Sequence, residues 1–274
     1  MSRWSSATMT RLPTYFLNHG GGPWPWMEGP MREAYGKLEA SLAGVMDELP
    51  ERPSAILVVS AHWEAPVPHV SSHPAPPMLY DYYNFPEHTY HIRYTAPGSP
   101  ELAGRVRDLL RAGGMDCEDD AERGFDHGTF SMMQPVRPQA DIPIVQLSVL
   151  DHFDPAAHIA MGRLLQPLRD EGVLILGSGL SYHNLRAWGP AGAEAAAQFD
   201  QWLRESLDGK PEATRDAALL RWAEAPAAPA AHPRPEHLLP LMVAAGAGGA
   251  DACAVHFHQS DFMGSMAVTG FRFG

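Results

Sequence analysis

The chain has 274 residues, 45% of them hydrophobic and 19% charged, so it can bury a large core, and it is read as one domain, 1–274. Its formal charge of -12 argues against nucleic acid or an anionic membrane surface as partner, since both demand clustered Lys and Arg. Two cysteines, Cys117 and Cys253, exclude a disulfide framework and a cysteine-based zinc site and point to a reducing, cytoplasmic setting.

From the amino end, residues 1–12 read as a loose polar tail without an apolar targeting core, and no later window approaches the roughly 18 apolar residues of a membrane span. A strand over 14–18 leads into His19 and three glycines, and a helix follows over 31–48. The apolar run 55–61 reads as a buried strand that ends at His62. Residues 63–98, rich in proline, with Tyr80, Tyr82, Tyr83, Phe85 and Tyr90, are too long and too aromatic for a plain connector and are expected to wall a pocket. Ser99 as N-cap, Pro100 in the first turn and Gly113–Gly114 at the end bound a helix over 99–113. His127, in GFDHGTF, is placed in a loop before the strand at 142–148. A helix at 155–171 and a strand at 173–178 precede the loop carrying His183, and helices are expected at 192–207 and 213–224. The stretch 225–235, APAAPAAHPRP, reads as a stiff extended spacer delivering Glu236 and His237 to a helix at 237–246. Strands at 252–259 and 264–272 are close enough in sequence to pair antiparallel. Strand-like runs alternating with helical ones define an α/β fold with a mixed, mostly parallel central sheet and helices on both faces.

Parallel strands aim their carboxyl ends at one crevice, so His19, His62 and His183, each just past an apolar run, can converge on one metal, with Glu236 and His237 added from a fourth stretch. Imidazole and carboxylate donors without thiolate suit Fe(II), Mn(II) or Zn(II), and a three-ligand site leaves positions open for substrate and oxygen or water. With fourteen histidines, several must be surface or core residues, and the lesser alternative for His127 is a surface turn with Asp126. His256 and His258, spaced to share one strand face, are read as structural because they lie at the antiparallel end of the sheet. HGGG at 19–22 matches an esterase oxyanion loop, but no GxSxG elbow accompanies it, and neither a complete dinucleotide fingerprint nor a GxxxxGK loop occurs.

Taken in order, HGGGP, VVSAHWE, FPEHTYHIRYTAPGSPELA, GFDHGTFSMMQPVRPQADIPIVQLSV, GSGLSYHNL, PEHLLPL and MGSMAVTGFRFG resemble the DOPA-dioxygenase (LigB-like) type of class III extradiol ring-cleavage dioxygenases. That resemblance spans nearly the whole chain. It implies an Fe(II) enzyme that opens a catechol beside its diol with O2 to a muconic semialdehyde, with metal ligands at His19, His62 and His237. Glu236 or His183 is an additional ligand by the same resemblance. His183 and His127 match the family's acid/base and second pocket histidines, and imidazole titrates in the range such proton transfers need. HGGGP departs from the family's usual HGSP, which changes the turn beside His19 and leaves the histidine in place. The diol would lie in an apolar slot supplied by Trp24, Trp26 and the tyrosines of 80–90.

Zn(II) can occupy such a site in purified protein, and two other classes use the same residues: a zinc hydrolase with a metal-bound water, and a binding protein with a vestigial metal pocket. The ring substituent and any homo-oligomer are left open by the sequence.

Overall fold

The computed structural model describes residues 10–274. One sheet of eight strands organises them: β1 (Thr14–Asn18), β2 (Ala55–Ala65), β3 (His69–Ser71), β4 (Glu118–Asp120), β5 (Ile144–Leu150), β6 (Val173–Gly179), β7 (Cys253–Phe262) and β8 (Met266–Phe273). Their order is β4-β3-β5-β2-β6-β1-β8-β7. The central strands β5, β2, β6 and β1 pair parallel, whereas β1 with β8, β8 with β7 and β3 with β5 pair antiparallel. The mixed, mostly parallel α/β sheet expected from the alternating pattern is what forms.

Helices cover both faces because successive strand residues point oppositely. Thr14 Oγ1 donates to the Ala244 carbonyl in helix Leu239–Gly248, while the next residue, Tyr15, reaches Glu48 on the other side. Helix Leu239–Gly248 is buried along its whole length, as its sequence LPLMVAAGAG, without a charged residue, requires.

Several expectations need correction. The helix foreseen over 31–48 is broken at Tyr35 into Gly29–Ala34 and Gly36–Gly44, followed by a 3-10 turn. The one foreseen over 155–171 splits before Pro167, whose ring cannot continue a helical hydrogen-bond ladder, into Pro155–Leu165 and Pro167–Asp170. The spacer at 225–235 is not extended: Ala228–Ala231 closes a helical turn. The tail expected over 1–12 is tied down at its end, since Leu12 is buried, its N–H donates to the Arg169 carbonyl, and its carbonyl accepts from the Arg169 guanidinium, which also donates to the Ala247 and Gly248 carbonyls. Residues 1–9 of that tail lie outside the described residues. His256 and His258 do not share a face: a register shift between Val255 and Phe257 turns His256 to Ser41 and Glu48, and His258 to Thr269 and Asp200.

Candidate metal centre

Strand register sets the site. Leu17 on β1, Ser178 on β6 and Ser60 on β2 stand in one row, and His19 and His62 each follow two residues beyond it. The two serines of that row hold the start of a helix, His127–Val136, that the sequence reading missed. Ser60 Oγ donates to Asp126 Oδ1 at 2.9 Å and Ser178 Oγ donates to the Gly128 carbonyl at 2.6 Å. Asp126 is the N-cap of this helix, accepting from the Thr129 N–H, so His127 opens a helix instead of lying in a loop.

His237 arrives from the other side. The neighbouring strand β1 and the turn before helix Leu239–Gly248 crowd the end of β6, where the Leu180 N–H donates to the His237 carbonyl at 3.1 Å. A Cβ at Gly179 would stand 2.1 Å from that carbonyl oxygen, so a glycine is required there. At Gly22, φ is +55° and a Cβ would meet the Phe85 ring at 2.5 Å, which accounts for the glycine-rich turn after His19.

Five imidazoles meet as a result. His62 Nε2 lies 3.2 Å from His19 Nε2 and 3.2 Å from His237 Nε2. His127 packs on His62 with ring centroids 3.9 Å apart, and His183 stacks on His237 at 3.4 Å. Two groups of candidate ligands, His19–His62–His127 and His183–Glu236–His237, each fall within 4.8 Å, and the His62–His237 contact joins them.

Hydrogen bonding selects among these donors. Ser178 Oγ spends its proton on Gly128, so it accepts from His19 Nδ1 at 3.0 Å, which leaves the His19 Nε2 lone pair free. Glu236 Oε1 accepts from His237 Nδ1 at 2.9 Å, with the same consequence for His237 Nε2. Asp81 Oδ2 faces His62 Nδ1 at 3.4 Å. Two nitrogens each about 2.1 Å from one cation, at octahedral to tetrahedral angles, are about 3.0–3.4 Å apart. These two spacings fit a metal bound through three Nε2 atoms, with the Nδ1 atoms of His19 and His237 hydrogen-bonded to oxygen and that of His62 facing Asp81.

Electrostatics agree with neutral, metal-ready rings. Burial, reinforced by the neighbouring imidazoles, pushes His19 and His237 well below the usual histidine range. His62 falls likewise through burial and His127, with Asp81 opposing. Burial alone would raise Asp81, but the His127 hydrogen bond and the two facing imidazoles hold it at about 2. Glu236 is also lowered, its burial outweighed by the hydrogen bond from His183, whose Nδ1 lies 3.1 Å from Oε1.

A cavity of about 580 Å³ opens over the cluster, lined by His19, His62, His127, His183, His237 and Asp81 together with Tyr82, Phe85, Leu180 and Trp188. Its rim is apolar yet open to solvent, with Tyr83 80%, Leu185 70% and Met31 47% exposed. Of the aromatics foreseen as a slot, Tyr82, Tyr83 and Phe85 line it, but Trp24 is buried against Tyr35 and Trp26 packs on Phe130. The reading missed Trp188 and, more consequentially, Asp81. One acidic residue inside an aromatic tract, YDYYN, was the signal available for it.

A mixed α/β sheet with an imidazole cluster where its parallel strands end, under an apolar cavity, is the arrangement of an enzyme site able to hold a metal ion beside a small, largely apolar ligand. The family described as the catalytic LigB subunit of aromatic ring-opening dioxygenase matches residues 13–271, and the chain belongs to it. It is an aromatic ring-opening, extradiol dioxygenase. The chain is 39% identical over 268 residues to a 4,5-DOPA dioxygenase extradiol of Portulaca grandiflora, covering 95% of each. It is 42% identical over 228 residues to the protein of the same name from Beta vulgaris, covering 81% of this chain and 84% of that one. A crystal structure of an uncharacterized protein from Escherichia coli K12 superposes with a TM-score of 0.77 at 32% identity, covering 96% of this chain and 100% of that one. Among the described residues no helix is long and apolar enough to cross a membrane.

Proposed function

We propose that the chain is one catalytic domain that binds Fe(II) through His19, His62 and His237 and cleaves a DOPA-like catechol with O2 to a muconic semialdehyde. The observation that carries this reading is the pair of 3.2 Å spacings among three Nε2 atoms whose Nδ1 atoms all face oxygen. Ferrous iron, when bound, supplies a centre able to chelate both catechol oxygens and to pass electron density toward O2.

The chain's own groups then hold, orient and exchange protons. The apolar walls formed by Phe85, Tyr82, Leu180 and Trp188 take the ring face and keep water from it. His127 packs against His62 and His183 against His237, each with Nδ1 on a carboxylate, so Nε2 is the nitrogen left to receive a catechol proton and return it to product.

Anaerobic loading with Fe(II), followed by admission of oxygen over a panel of catechols, tests the proposal. Stoichiometric oxygen uptake with a yellow semialdehyde is expected. Oxygen-independent turnover of an ester, or metal binding without consumption of any catechol, would replace this reading with a hydrolase or a binding protein.

A further inference from the structure

Asp81 touches both halves of the chemistry with different oxygens. Oδ1 accepts from the His127 backbone N–H at 2.9 Å and from His127 Nδ1 at 2.8 Å, while Oδ2 lies 3.4 Å from His62 Nδ1. Three nitrogens thus face one carboxylate, two donating to Oδ1 and the third, His62 Nδ1, in ion-pair contact with Oδ2, and the carboxylate has acceptor capacity on both oxygens and no proton of its own to offer. Two of them come from a helix N-terminus, and the third from a strand with which Asp81 shares no regular structure.

We propose that Asp81 is a positioning residue that fixes the tautomer of two histidines at once. It keeps the proton of His62 on Nδ1, so that Nε2 presents a lone pair to the metal. It also anchors His127 with Nε2 turned to the cavity. The inference rests on His62 being a ligand, as read above. An asparagine cannot replace it, because an amide has a single acceptor oxygen. If that oxygen serves His127, the NH2 group confronts the His62 Nδ1–H, and His62 must move or shift its proton to Nε2, where it blocks coordination. Turned over, the amide loses both His127 bonds.

Asp81→Asn and Asp81→Glu are to be compared with the unaltered protein by chelator-competition titration of Zn(II), with thermal melting of the metal-free forms as a check on folding. Loss of such a supporting hydrogen bond costs metal sites about 10- to 100-fold in affinity, and that is the expected effect of D81N, with partial recovery in D81E, which keeps both oxygens. Zinc affinity of D81N within about twofold of the unaltered protein would overturn the inference. His62→Ala separates the two levels: if it retains zinc affinity, the ligand assignment itself fails, whereas loss in H62A with retention in D81N removes Asp81 alone. Should D81N not fold, the imidazole nitrogen spectrum of the unaltered zinc form decides, since protons on Nδ1 of both His62 and His127 are expected and a proton on Nε2 of His127 contradicts the proposal.

Discussion

The centre is built from two halves of similar logic and different construction. In each, a carboxylate sits between a candidate ligand and a candidate proton carrier: Asp81 between His62 and His127, Glu236 between His237 and His183. Asp81 divides the work between two oxygens, whereas Glu236 takes both Nδ1 atoms on Oε1 and leaves Oε2 buried with no hydrogen-bond partner. The first half is assembled from a strand, a loop and a helix N-terminus far apart in the chain; the second rests on neighbours in sequence and a stacked ring pair. Similar chemistry is thus reached with unequal redundancy, and the two halves respond differently to the same type of substitution.

Removing a ligand gives the largest effect. His62→Ala and His237→Ala are each expected to abolish metal binding at micromolar metal, measured by metal content after gel filtration, and to do so equally if the halves share one ion. Retention in one of them would make the halves separate sites. Next come the proton carriers: His183→Ala and His127→Ala are expected to keep metal and lose about 10²- to 10⁴-fold in kcat, the usual worth of a positioned acid or base. An unequal loss tells which half handles the rate-limiting proton.

Glu236→Gln sharpens the contrast further. Its amide oxygen can occupy the Oε1 position and accept from both rings, and its NH2 falls where Oε2 now has no hydrogen-bond partner, losing only the 3.7 Å ion-pair contact with the half-exposed Arg234. Metal affinity in E236Q should therefore fall by less than about 10-fold, below the expected cost of D81N, by the same titration. A drop larger than that of D81N would mean that charge rather than the count of acceptor oxygens matters. The smallest effect concerns the substrate. Among the described residues no lysine or arginine lines the cavity, and an exposed ion pair is worth at most about 1 kcal/mol, so a carboxylated catechol and one with a neutral side chain should differ by no more than roughly fivefold in kcat/KM.

Much of this was legible in the chain. The central strands announce themselves as unbroken apolar runs because both faces of a parallel sheet are covered, and β1 is found where the sequence places it, at Thr14–Asn18. His19 and His62 could be singled out because polar rings directly after such runs need partners. The short strands β3 and β4 could not, since three residues carry no periodicity, and helix His127–Val136 was hidden by a proline near its end and by glycine at its start. Asp81, marked only as the one acid in an aromatic tract, was missed for a different reason. Its role depends on a loop folding back over the sheet, a tertiary event with no local pattern, whereas Glu236 was flagged by lying next to His237. The break at Tyr35 likewise follows from packing, as that ring stacks on Trp24 at 4.7 Å.

A crystal structure of the anaerobically Fe(II)-loaded protein, with an anomalous map at the iron edge, tests the account most directly. One iron peak is expected, about 2.1 Å from Nε2 of each of His19, His62 and His237, with Asp81 and Glu236 still on the Nδ1 atoms behind them. Iron bound through His183 and a Glu236 oxygen, with His62 turned away, would contradict it.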